Sequence, residues 1–549
     1  MRRLACLIAF AFLPRAAAAE SGAVDKAMGA EIERAMSLHE EGYPSPYYVS
    51  LTATDVESRE QRCEMGEPVS SAQYRQRVLT PDVRVGDYSL DNHPITPAEA
   101  MVGHPVSLED DEFSLRYALW RMLDEHYKKA AADFLLKQAQ RVGRGKTEYD
   151  TDDLSREAPG IRRAQSFPAA WDAEGLRELC AKGSGVFRTV PGLLDAEADV
   201  KWERQSSRLR DSEGAIVKFG RQFAEIELSA TALSSDGMRL FAARRFTVAG
   251  GASPPSALEI ERGAREMLED LRQLQMARST SPFSAPALLD PSVSAAVMLA
   301  TGLRLSGEEL RNPNGAQTFR DKMGKRVLSE ELTLEDDPTL ASFGGEPLAG
   351  HYDYDDQGMA PQKVRLIDRG VLKGFLLSRY PVIGFPRSNG HGRAYPGYVP
   401  EGAPGSLLLS SERPLPEKDL LVLLRKECRR RGKRYGLWIR KLRDFTQQQG
   451  AAEQGAIRFM PGLVYLVEAE SGRLTLVRDL DIVGTPLELL GNIMRAGDDV
   501  RPQNFLVGGV PMSAVVPSLL LKDVELQRAE TKPERPPILQ PPAVPGEPR

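Results

Sequence analysis

Cysteine and histidine are scarce in this chain: 549 residues hold 4 cysteines and 6 histidines. So few cysteines exclude a disulfide-dense scaffold, in which many bridges replace a hydrophobic core. So few histidines make the search for metal chemistry short. They are His39, His93, His104, His126, His351 and His391, and no two stand four or five residues apart. A helical zinc pair needs two imidazoles one turn apart facing one ion, as in H-E-x-x-H, so no local pair of that kind is encoded. Glu125-His126 falls on the polar side of a helical stretch with no partner nearby in sequence. Walker loops, G-x-G-x-x-G and G-x-S-x-G elements are absent as well. No later apolar run approaches the ~20 residues of a membrane-spanning helix. Charge of one sign is not in excess either. The 72 basic and 77 acidic residues leave a formal net charge of -5, which gives no reason to expect a nucleic-acid or membrane-surface partner.

What is present begins at the N-terminus. Arg2-Arg3 precede an apolar stretch from Leu4 to Leu13 and then Ala16 to Ala19, the order of charge, apolar run and small residues found in a secretory signal peptide. Residues 1–19 are therefore expected to be removed on export to the periplasm or the cell exterior. Cys63, Cys180 and Cys428 then remain, an odd number without a C-x-x-C pair, so at most one disulfide is expected. Cys63 with Cys180 is one such pairing; unpaired thiols are the blander reading.

The length calls for two or more domains. Tyr47 to Thr54 and Asp82 to Gly86 read as strands, rich in β-branched residues. Ser107-Leu-Glu-Asp110 opens a helical segment to about Val142, in which Phe113, Tyr117, Trp120, Leu123 and Tyr127 recur every three or four residues and predict the face that covers a sheet. Turn chemistry at Ser212-Glu-Gly214 and Ser235-Asp-Gly237 predicts antiparallel hairpins. A second helix follows Pro254-Pro255, with Ile260, Ala264, Met267, Leu268, Leu271 and Leu274 on one face. The Ser/Pro/Ala-rich stretch from Ser279 to Pro286 marks a boundary. The expected fold class is α+β. Residues 20–280 form an α/β domain with a mixed sheet and long helices, and residues 281–528 a mostly antiparallel β domain. Hairpins there lie at Asp368-Arg-Gly370 and Ser471-Gly472, and a helix from Leu415 to about Arg431. Residues 529–549 are a Pro-rich tail unable to build a core.

Three constellations have chemical potential. His351-Tyr-Asp-Tyr-Asp-Asp356 offers an imidazole and carboxylates to a cation, although an acidic turn before the strand at Val364 is its simpler reading. Ser388-Asn-Gly-His-Gly-Arg393 combines glycines that permit tight turns with His391 and Arg393, able to act as a base or to hold a carboxylate. A basic cluster spans Arg425 to Arg443, with Leu420, Leu421, Leu423 and Leu424 on the same helix; a solvated helix face is its simplest reading.

In order and spacing, Gly324-Lys-Arg-Val-Leu-Ser-Glu330, Tyr354 to Gln362, Leu366 to Arg379 and Ser388 to Arg393 resemble the C-terminal domain of the TldD/PmbA peptidase family, also called the modulator of DNA gyrase family. Asp82 to Asn92, Leu115 to Arg121 and Val516 to Leu521 resemble an exported branch of it. The resemblance implies an α/β N-terminal domain, a β-rich C-terminal domain and dimers enclosing a cleft. It also implies, for catalytic members, peptide cleavage by a zinc ion on an H-E-x-x-x-H helix, beside a TldE-type subunit lacking those ligands. Here the corresponding positions are Ala296, Val297 and Thr301, and no His, Cys or Glu lies between Asp290 and Gly307. Methyl groups supply neither a metal nor a base. The expectation is therefore a noncatalytic peptide-binding or partner subunit with no catalytic residue, cofactor or metal, whose cleft is lined by Ser388, Asn389, His391 and Arg393. The alternative is a hydrolase rebuilt around His351, Asp355, Asp356 and His391.

Overall fold

The computed structural model describes residues 22–93, 101–144, 151–158, 172–249, 252–312, 318–444, 457–529 and 539. The segment 1–19 and all of the tail except Ala529 and Leu539 lie outside the described residues.

The architecture is α+β. A helix α1 (Ala23–Met36) leads into a long hairpin, β1 (Pro46–Glu64) and β2 (Glu67–Asp87), followed by two short strands, β3 (Leu90–Asp91) and β4 (His104–Val106). Helices α2 (Glu112–Arg144) and α3 (Ala173–Gly185) precede β5 (Asp195–Asp211), β6 (Ile216–Leu233) and β7 (Arg239–Ala249), and α4 (Ala257–Met276) closes this half. The sheet runs β3-β2-β1-β5-β6-β7, with β4 added to β2. Its described pairings are antiparallel, so it is not the mixed sheet expected. Both predicted turns, at Ser212 to Gly214 and Ser235 to Gly237, join neighbours directly, and short hairpin loops permit only antiparallel pairing. Parallel pairs occur instead in the C-terminal half, between strands 406–411 and 510–516 and between 435–444 and 283–289.

Helix α4 follows the predicted pattern: Ser256 caps it in a reciprocal box with Glu259, and its face of Ile260, Ala264, Met267, Leu268, Leu271 and Leu274 is buried. Helix α2 departs from prediction. Phe113, Tyr117 and Trp120 are exposed, while Leu115, Leu119, Met122 and Leu123 pack on the sheet with Tyr127, Ala130 and Phe134. The aliphatic stripe lies on the opposite side of the helix from the first three aromatics, and it packs against α1 and β2. The helix also starts after Ser107, whose hydroxyl accepts from the Glu109 amide in a turn before it.

In the C-terminal half, five strands, 435–444, 283–289, 519–528, 480–484 and 457–468, close into a ring, since the first also pairs with the last. A six-stranded sheet stands beside it. Between the two lies α5 (Pro291–Leu303), buried nearly all round, because its Val, Ala, Met and Leu side chains leave no polar stripe to face water. A short helix, α6 (Gly307–Arg311), follows it. The helix α7 (Glu417–Arg430) buries Leu420 and Leu424. Its basic side is occupied internally: Arg425 and Arg429 donate to the Ala469 carbonyl, and Arg430 and Arg431 pair with Glu427. No described helix is long and apolar enough to cross a membrane.

Cys63 and Cys180 are joined in a disulfide that ties β1 to α3, and Cys428 is a buried free thiol.

Candidate functional site

Four strands, β1, β2, β5 and β6, and α2 of the first half face α6 and the loop 394–401 of the second across a cleft of about 560 Å³. Its first wall carries Tyr48, Ser50, Thr52 and Thr54 from β1, where alternation turns every second side chain to the same face. Its second wall carries Glu308, Arg311, Tyr380, Tyr395, Tyr398 and Glu401. A further hollow of about 820 Å³ shares Glu308, Tyr395, Tyr398 and Glu401 with the first and reaches Leu303, the last residue of α5. The cleft therefore runs past the end of the helix at which sequence resemblance places the family's zinc motif.

Long-range ionic contacts hold the walls together. Arg379 is almost completely buried and donates to Tyr48 Oη at 3.0 Å and to the Ser155 carbonyl at 2.7 Å, while pairing with Glu213 at 3.0 Å. Arg311 reaches Asp153 at 2.6 Å and the Pro381 carbonyl at 2.7 Å. Arg221 of β6 holds Asp356 at 2.7 Å and the Ala394 carbonyl at 3.2 Å, which fixes the start of the 394–401 loop. Glu308 is buried and accepts from Ser306 Oγ at 2.7 Å, from the Gly402 amide at 2.8 Å and from Ser378. Of these residues only Asp356 was a candidate from sequence, as a carboxylate of the rebuilt site and not as the partner of Arg221. Their partners lie far away along the chain, so no local spacing betrays them.

The predicted residues are placed differently. Ser388, Asn389, His391 and Arg393 do come together, but as an internal brace. His391 is fully buried, with Nε2 3.0 Å from Asp336 and Nδ1 2.9 Å from Asn389 Oδ1, so both ring nitrogens are engaged. Asn389 Oδ1 also accepts from the Leu377 amide at 2.8 Å, and Ser388 Oγ donates to the Leu377 carbonyl at 3.2 Å. Gly390 has φ 74°, and a Cβ there would sit 2.1 Å from the Ala360 carbonyl oxygen, which is why glycine is needed at this turn. Of the four, only Arg393 reaches the cleft, lining its second hollow, and its guanidinium also lies over Tyr352 at 4.1 Å.

The rebuilt site around His351 and His391 is not assembled as a catalytic group. His351 Nδ1 faces the Pro338 carbonyl at 2.9 Å. Asp355 is buried and accepts from the Gln357, Met359 and Gly392 amides at 2.8–3.0 Å, a turn-forming role. Burial nevertheless pushes its carboxyl up to about 7. Asp356 is the ion-pair partner of Arg221. Among the described residues, no group of three or more His, Cys, Asp or Glu side chains is arranged to hold a metal.

Ala296, Val297 and Thr301 are buried in α5, at 1%, 2% and 0% exposure. Thr301 Oγ1 donates to the Val297 carbonyl at 2.9 Å inside the helix, so its hydroxyl serves the backbone and faces no ligand. Thr301→Val is expected to cost about 1 kcal/mol or less in urea unfolding and to leave any ligand affinity unchanged.

Residues 282–528 match the family model for the PmbA/TldA metallopeptidase C-terminal domain. The C-terminal half is a domain of the TldD/PmbA family. It is 24% identical over 402 residues to a protein named Metalloprotease from Methanothermobacter thermautotrophicus, covering 70% of this chain and 81% of that one. It is 26% identical over 195 residues to a Metalloprotease TldD homolog from Buchnera aphidicola, covering 35% of this chain and 36% of the other. The crystal structure of TldE from Thermococcus kodakarensis superposes with a TM-score of 0.61 at 15% identity, over 92% of this chain and 100% of that one. The TldD/PmbA fold is thus present across both halves, while the helix expected to carry its zinc motif is here a core element.

Among the cleft groups displaced from their ordinary values are Glu401 and His93. Burial, reinforced by the charges of Glu308 and Glu309, pushes the Glu401 carboxyl from 4.5 up to about 7. His93, stacked on Tyr380 at 4.3 Å, is held well below the usual histidine range by burial and then by Arg311, Arg84 and Lys137, so it is neutral at pH 7. For Glu401 the raised value means that the folded state keeps a proton that the unfolded chain has already lost. Stability contributed by this group is present below 4.5 and is lost as pH rises to about 7. Glu401→Gln is expected to flatten that part of the stability profile and to raise stability above neutral pH, measured by urea midpoints across the range.

Proposed function

We propose that this chain is an exported, noncatalytic member of the TldD/PmbA family that holds a peptide in its cleft, alone or as the companion of another subunit of the family in a homo- or heterodimer. The observation that carries this reading is the contrast between the cleft and α5. The cleft is open and lined by tyrosines and hydrogen-bonding groups suited to an extended peptide, yet the zinc-motif positions Ala296, Val297 and Thr301 are methyl-bearing side chains packed in the core. A metalloprotease mechanism needs an ion to polarise the carbonyl and activate water, and these side chains can hold none.

Export is supported by the N-terminal charge and hydropathy pattern and by the Cys63–Cys180 disulfide, since such bridges persist in oxidising compartments. The division of the mature chain near residue 280 is supported by the separation of the sheets, the first drawn from residues 46–249 and the others from residues 278–528.

The test is retention of peptides from a broad library by the mature protein, identified by mass spectrometry. Peptides recovered intact, with retention weakened by Tyr398→Ala in the cleft wall, are the expected result. A library from which nothing is retained, with or without a family subunit carrying H-E-x-x-x-H, would remove the peptide-binding proposal.

A further inference from the structure

His126, which looks isolated in sequence, faces His104 across 22 residues of chain, with Nε2 to Nε2 at 3.2 Å. The two rings are held by different elements. His104 begins β4 and pairs with Leu79 of β2, whereas His126 sits on α2, which packs over the same strand. The ring planes are nearly perpendicular, at 89°, and the centroids are 5.4 Å apart. His126 lines the cleft.

We propose that His104 and His126 form a two-imidazole site for a divalent transition-metal ion on the cleft wall, apart from the helix where the family's zinc motif would lie. Metal–imidazole bonds of about 2.1 Å meeting at a tetrahedral angle span ~3.4 Å between nitrogens, so the observed separation needs a change of only about 0.2 Å to chelate an ion. Without an ion the same geometry is a hydrogen bond between rings, one Nε2 carrying the proton. With an ion bound, both Nε2 lone pairs are donated and each neutral ring carries its proton on Nδ1, so the change is a tautomer shift in one ring with no net loss of protons. Water from the cleft completes the coordination, since no third side-chain donor converges there among the described residues. Such a site is open and exchangeable. Imidazole donors favour copper over zinc in affinity, and both over manganese.

The test is calorimetric titration of the mature chain with Zn²⁺ at neutral pH. One equivalent should bind in the wild type and in His39→Gln, and binding should be lost in His104→Gln and in His126→Gln. Absence of binding in the wild type, or binding that survives both substitutions, overturns the site. Should either variant fail to fold, imidazole nitrogen resonances of the wild type decide: the Nε2 signals of His104 and His126 shift together on adding Zn²⁺ if the site exists, and stay unmoved if it does not.

Discussion

Replacing Cys63 by serine is expected to lower the unfolding free energy by about 3–5 kcal/mol, the largest single-residue effect in the N-terminal half. The bridge to Cys180 closes a separation of 117 residues. In the chain-entropy account a loop of this size restricts the unfolded ensemble by about 4–5 kcal/mol. Both sulfurs are buried, where α3 packs against the turn end of the β1/β2 hairpin, so the serine hydroxyl adds the cost of an apolar setting. Cys180→Ser should match it, and the double variant should cost little more, because the second change removes a bridge already lost. Urea unfolding of the three variants checks this. The remaining thiol, Cys428, is pushed up to about 11 by burial, so it should react with thiol reagents only once the chain unfolds. A loss under about 1 kcal/mol in Cys63→Ser would show that the bridge does not form.

Arg379→Ala is expected to be comparably severe, at about 3–5 kcal/mol, because it leaves buried partners without their cation. The guanidinium lies over the Tyr48 ring at 4.8 Å, pairs with Glu213 and donates to the Ser155 carbonyl, so one side chain ties β1, the 151–158 segment and the 211–213 turn to the C-terminal half. Lysine has the charge without the planar fork, so Arg379→Lys should recover only part of the loss. The same variants should weaken peptide retention, since Arg379, Tyr48 and Tyr380 form adjoining parts of the cleft wall. Stability and retention measured on the same samples check both effects. An alanine variant as stable as the wild type would refute the role given to Arg379.

Features written in short-range chemistry were legible in the sequence. Helix α4 was marked by Pro254-Pro255 and its apolar face, and the Asp368-Arg-Gly370 hairpin by its glycine, which takes φ 80° while Arg369 is held at 45°. The absence of His, Cys or Glu between Asp290 and Gly307 was likewise plain in the sequence. Helix α2 was read correctly at Leu123 and Tyr127, which are buried, but not at Phe113, Tyr117 and Trp120, because aromatic and aliphatic stripes share the same spacing and only the packing beneath chooses between them. His391 and Arg393 were correctly grouped, yet burial turns on Asp336, 55 residues before His391, which spacing does not reveal. The cleft was invisible for a similar reason. Its walls come from β1, β2, β5, β6, α2, α6 and the 394–401 loop, and its cations and carboxylates meet only when the two halves pack.

A noncatalytic role requires that α5 be a core helix in place of a zinc helix. The most direct measurement is cleavage of a broad peptide library by the purified mature protein with Zn²⁺ supplied in excess and, in parallel, with a strong chelator. The expected result is no new peptide termini by mass spectrometry under either condition. Zinc-dependent cleavage that the chelator abolishes would contradict it.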